Sequence, residues 1–122
     1  NAQKSKVTGA SNYLTSGKLD KAKEAIDAGI GHEKCVAWPK AYLIKGKVYQ
    51  AIFESPLPAY KKLSDAPLKT AYEAYMKCLE LDVKNKYGKA VKAQMTNLIP
   101  DYTNKAVEYY NNEDYSGALG AF

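Results

Sequence analysis

Ala71-Tyr72-Glu73-Ala74-Tyr75-Met76-Lys77-Cys78-Leu79-Glu80-Leu81-Asp82 is the stretch on which the fold turns. With Leu68 ahead of it, its apolar residues return every three or four positions, the spacing of one helical face. A bulky residue (Leu68) is followed three later by alanine (Ala71) and four later by another bulky residue (Tyr75). The same spacing recurs at Leu19, Ala22 and Ile26, and at Tyr115, Ala118 and Phe122. Upstream of these triplets, Ala10 and Tyr13, Gly46 and Tyr49, and Ala106 and Tyr109 each set a small residue three before a tyrosine. Two antiparallel helices approach closely only where a small side chain faces the partner, with large residues filling the gaps beside it. One such pair cannot bury its own apolar face, so pairs stack on pairs.

Working outward, glycine and proline divide the chain. A first helix is expected over 3–16, broken by Gly17, and a second over 20–28, ended by Gly29 and Gly31. Pro39 suits the first turn of a third helix over 39–54, because its missing N–H has no partner there anyway. Ser55-Pro56-Leu57-Pro58 stops that helix. The segment 58–66 reads as a loop with one helical turn at 59–63, and Asp65 as the N-cap of a fourth helix over 67–83. Tyr87, Val91, Met95, Leu98, Tyr102, Ala106 and Tyr109 then form a stripe that passes straight through Pro100. One long helix over 85–111, bent near Pro100, is the simplest account; two helices split at Ile99 is the alternative. Asn112-Glu113-Asp114 reads as a turn and Tyr115 as the start of a last helix. No strand pattern appears, so the class is all-α.

On these residues the chain resembles the tetratricopeptide repeat family. The stretch 71–82 is very close to the family's second helix, with Cys78 in place of its second small residue and Val83 in place of its helix-ending proline. Residues 106–122, with Tyr109-Tyr110 and Asp114-Tyr115, match the first helix and turn of another repeat, and residues 4–36 match a third more weakly. The resemblance implies one domain over 1–122, a right-handed superhelix of antiparallel helix pairs with repeat-like segments 4–36, 39–83 and 86–122. Extra residues around 56–66 and the long helix before Tyr102 break the family's period of about 34 residues.

Composition narrows the function classes. The 122 residues are 46% hydrophobic and 25% charged, ordinary for a globular domain. No apolar run is long enough to span a membrane. The net charge is +5 and the pI about 9.1, and all 18 basic residues are lysine. Phosphate and base recognition recruit arginine for its flat bidentate fork, so an all-lysine surface offers diffuse, salt-sensitive attraction and no specific nucleic-acid partner is expected. The opening Asn1-Ala2-Gln3-Lys4-Ser5-Lys6 carries no basic-then-apolar leader. A small polar start of this kind also follows a cleaved signal, so a periplasmic or secreted setting and a cytoplasmic one both stay open. The helical pattern stops at Gly120-Ala121-Phe122, which reads as the N-terminal part of a longer protein and as an end open to self-association.

Catalytic chemistry finds little support. His32, Glu33 and Cys35 lie together after the second helix, but no oxyanion site or group orienting the histidine accompanies them. An exposed turn with a chance thiol is the plainer reading. Cys78 occupies a small core position and reads as an inert thiol; a Cys35–Cys78 disulfide stays open, since sequence separation says nothing about distance. Gly29-Ile30-Gly31 lacks the strand and later glycine of a dinucleotide site. Metal-ligand spacing is absent, so no cofactor is expected. Tyr13, Tyr49, Tyr75, Tyr102, Tyr109 and Tyr115 fall at core positions of the repeat.

The resemblance implies binding through a concave face lined by the first helix of each pair. Carried onto this chain, those residues are Val7, Ser11 and Leu14, then Leu43, Lys47 and Gln50, then Thr103, Val107 and Tyr110. One subgroup of the family grips acidic chaperone tails with a clamp of Lys, Asn and Arg. Here Val7 and Ser11 stand where Lys and Asn are wanted, Leu43 and Ile44 are apolar, and arginine is missing, so that role is not expected. The expectation is a non-catalytic scaffold for a protein or peptide. The alternative is a recognition segment of a larger cell-envelope protein that binds a small ligand or glycan.

Overall fold

The computed structural model describes residues 2–111, with side chains for 4–107. Among the described residues six helices form and no strand: α1 (Ala2–Thr15), α2 (Leu19–Ile30), α3 (Pro39–Glu54), α4 (Pro58–Lys61), α5 (Pro67–Leu81) and α6 (Gly88–Asn111). The all-α class is thereby established, and no helix among the described residues is long and apolar enough to cross a membrane. The turn expected at 112–114, the helix expected from Tyr115, its residues Ala118 and Phe122, and the end expected to self-associate fall outside the described residues.

Local chemistry sets the boundaries. Gly17 adopts φ +76, the left-handed conformation that glycine enters without steric cost. Around it Lys18 N–H donates to the Tyr13 carbonyl at 2.9 Å and Gly17 N–H to that of Leu14 at 3.0 Å. This paired closure satisfies the last carbonyls of α1 and turns the chain into α2 within three residues. Proline opens α3, α4 and α5, where the missing N–H costs nothing. At the far end of α5, the Asp82 carboxylate accepts from Lys86 N–H at 2.9 Å and Tyr87 N–H at 2.7 Å. Those bonds tie the end of α5 to the start of α6 and suit the positive end of the α6 dipole.

Several boundaries differ from expectation. Helix α2 continues through Gly29 to Ile30, because Ile30 prolongs the buried series Leu19, Ala22, Ile26 and both Gly29 and Ile30 are buried. Asp65 does not cap α5; Ala66 stands at the N-cap with no side-chain bond. Helix α5 ends at Leu81 and α6 starts only at Gly88, since Asn85 turns left-handed at φ 51 between them. At Pro100 the single-helix account holds: α6 runs on through it. Val91 and Leu98 before the proline and Asp101 and Ala106 after it are all buried, so packing on one face sustains the helix where a backbone bond is lost.

Helix α3 is the hub and packs against each of the other five helices. Cys78 meets the backbone of Leu43, while Tyr75 lies over Gly46 and bonds Gln50. As α3 advances α5 runs back, so the two are antiparallel. Ala22 and Ala71 are wholly buried and let their helices approach closely, as the repeated spacing requires. Ile26, Ile52 and Leu68 are fully buried as well, each worth about 1.5–3 kcal/mol of removed apolar surface.

Candidate functional site

The expected concave-face residues do not share one fate. Val7 is fully buried because α1 packs on both α2 and α3, and Leu43 is 7% exposed within the same core. Gln50 is 3% exposed. These three therefore offer a partner almost no surface, which corrects their assignment as lining residues. Ser11, Leu14 and Lys47 are half-buried, and Thr103 and Val107 are exposed. The side chain of Tyr110 lies outside the described residues.

Gln50 is instead the centre of a polar cluster joining three helices. Its Oε1 accepts the Tyr75 hydroxyl at 2.7 Å. Its Nε2 donates to Asp101 Oδ2 at 3.4 Å and, more weakly, to Glu54 Oε2 at 3.5 Å. One amide thus orients a tyrosine from α5 and two carboxylates, from α3 and α6. Desolvation, followed by hydrogen bonding to Asp101 and its charge, raises the Glu54 carboxyl to about 7, with the Gln50 bond opposing. Burial pushes the Tyr75 hydroxyl far above its ordinary range, and the nearby Glu54 and Asp101 charges add to the effect. Asp101 is only 8% exposed. The signal in the sequence was one acid in step with Leu98 on the apolar stripe of α6.

A second polar tie joins α2 to α3. The Tyr49 hydroxyl donates to both oxygens of Asp27, at 3.0 and 2.8 Å, and Lys23 pairs with Asp27 at 3.0 Å. Burial, reinforced by Asp27, raises the Tyr49 hydroxyl far above its usual value. Tyr49 and Tyr75 are core residues as expected, and Tyr102 is half-buried. Tyr13 is not: it is 37% exposed, with the Lys21 ammonium 5.9 Å from its ring centre. The side chains of Tyr109 and Tyr115 lie outside the described residues.

The lysines have a local use. Lys4 and Lys40 sit 5.1 and 6.0 Å from the Trp38 ring centre, and Lys61 lies 5.2 Å from that of Phe53. Long aliphatic stems covering half-exposed aromatic faces, with the cation held over the ring, suit lysine well.

In the turn after α2, His32 is half-buried. The turn is exposed at Gly31, Glu33, Lys34 and Val36, as expected, but the Cys35 thiol within it is fully buried. The turn folds back on itself, with Cys35 N–H donating to the His32 carbonyl at 2.8 Å, and Lys34 N–H occupies His32 Nδ1 at 3.2 Å. Cys78 is buried and free, as is Cys35, which leaves no disulfide between them. Burial and the Asp82 charge push the Cys78 thiol up to about 11, against a contact with the Leu43 backbone. No group of three or more metal-ligating side chains converges among the described residues.

An open groove of about 530 Å³ lies between α1 and α2, lined by Gly9, Tyr13, Lys21, Glu24, Ala25 and Ala28. No protein-family model matches the chain, and no curated protein or solved structure matches it significantly.

Proposed function

We propose that the chain is a tetratricopeptide-like scaffold, a right-handed superhelix of helix pairs that holds a protein or peptide partner and performs no chemistry itself. The observation that carries this reading is the recurrence of neighbour relations along the chain. Helix α1 packs on its hairpin partner α2 and on the next first helix, α3; helix α3 packs on its partner α5 and on α6. Each second helix also meets the following first helix, α2 with α3 and α5 with α6. Shifting by one hairpin reproduces the set, as stacked repeats require.

In such a stack α1, α3 and α6 lie side by side and line the concave face. The accessible strip is then Ser11 and Leu14, Lys47, and Thr103 and Val107. Leu14 and Val107 give apolar contact, the hydroxyls give hydrogen bonds, and Lys47 gives one cation. This chemistry suits an extended peptide carrying apolar side chains and a carboxylate. Peptides selected from a displayed random library test the reading by calorimetry. Lys47→Glu and Val107→Asp should each weaken the selected peptides by about tenfold or more, the equivalent of about 1.4 kcal/mol. Selected peptides that bind both variants as tightly as the native chain would overturn it.

A further inference from the structure

We propose that Glu54 keeps a proton against the Asp101 carboxylate across the contact of α3 with α6, and that losing it loosens the part of α6 that follows Pro100. Three observations converge on this latch. First, the two carboxylates are gathered by a single nitrogen, Gln50 Nε2, at 3.5 and 3.4 Å. Asp101 is 8% exposed while Glu54 reaches solvent, and two like charges so placed favour keeping a proton on Glu54. Second, Tyr75 fixes Gln50 from the other side at 2.7 Å, so the amide cannot turn away to relieve the repulsion without breaking that bond. Third, Asp101 directly follows Pro100. The proline lacks the N–H that would bond back along the helix, so α6 is weakest where the carboxylate pushes.

The cluster draws its polar groups from three helices. From α3 the cluster holds Gln50 and Glu54 itself, from α5 the Tyr75 hydroxyl, and from α6 Asp101. Lys61 of α4 is the nearest cation along the chain from Glu54 on that side, and its ammonium donates to the Phe53 carbonyl at 2.7 Å. Lys105, one turn beyond Asp101 on α6, is the nearest cation on that helix and is itself engaged in an interaction. The direction with pH follows. Glu54 is raised from the ordinary 4.5 to about 7. The folded state therefore holds the proton more tightly than the unfolded one. The stabilisation is complete below about pH 4.5 and is lost as pH rises through about 7. This latch stands whether or not the concave face binds a peptide.

Amide hydrogen exchange of the intact chain tests the latch, read as protection factors so that the intrinsic pH dependence of exchange cancels. Between about pH 5.5 and about pH 8.5, amides 101–107 should lose protection several-fold, while those of α1 and α2 stay constant. Glu54→Gln keeps the shape and removes the charge; it should abolish the loss. Carboxyl-carbon NMR of the native chain reads the same proton directly, with Glu54 titrating near 7. A Glu54 carboxyl titrating near its ordinary value, or a loss of protection that persists in Glu54→Gln, would overturn the proposal.

Discussion

Alanine at Gly46 and alanine at Gly9 should change stability in opposite directions, although both glycines lie inside helices. A Cβ at Gly46 would stand 2.8 Å from Tyr75 Cζ and closer still to Cε1 and Cδ1. Tyr75 is fully buried and held by Gln50, so the ring has no free direction in which to yield. Forcing a methyl into such packing costs about 1–3 kcal/mol. Displacing the ring also strains a buried hydrogen bond worth about 1 kcal/mol. Alanine's better helix propensity returns about 1 kcal/mol, so Gly46→Ala should be destabilised by about 1–3 kcal/mol. At Gly9 nothing lies within 4 Å of the added Cβ, and only the propensity gain remains, about 0.5–1 kcal/mol of stabilisation. Urea unfolding followed by circular dichroism measures both, with unchanged slopes and midpoints moving apart. A Gly46→Ala chain as stable as the native one would show that Tyr75 does not lie on this backbone and would refute the close approach of α3 and α5.

Other consequences are as specific. Tyr75→Phe leaves Gln50 Oε1 without its donor and should cost about 1–3 kcal/mol in the same unfolding assay. Ala71→Leu overpacks a wholly buried site and should cost about 1–3 kcal/mol, visible as an earlier thermal transition. Cys78, buried and with its thiol raised to about 11, should resist a water-soluble thiol reagent near neutral pH until denaturant is added; rapid native labelling would place it at the surface.

Most helices were legible because their causes are local. Gly17, the prolines at 39 and 67 and the small-residue spacing at Ala22 and Ala71 act within a few residues, and the structure keeps all of them. The single long helix through Pro100 was legible as well, because an apolar stripe in constant phase outweighs one missing bond. Burial among lining residues was not. Val7, Leu43 and Gln50 sit on first helices, and only the contacts of α3 with its neighbours decide how deeply each is covered. The cluster of Gln50, Glu54, Tyr75 and Asp101 draws from three helices, so no window of sequence displays it. The burial of Cys35 was hidden for a related reason: the turn around it is exposed, yet the thiol joins the core cluster through contacts that no window of sequence displays.

The claim that the first helices form one binding surface is tested most directly by NMR, titrating a selected peptide into the isotopically labelled chain. The account predicts that shifts concentrate at Ser11, Leu14, Lys47, Thr103 and Val107, crossing α1, α3 and α6 together. Shifts confined to the outer sides of α2 and α5, or to the groove around Gly9 and Ala28, would contradict it.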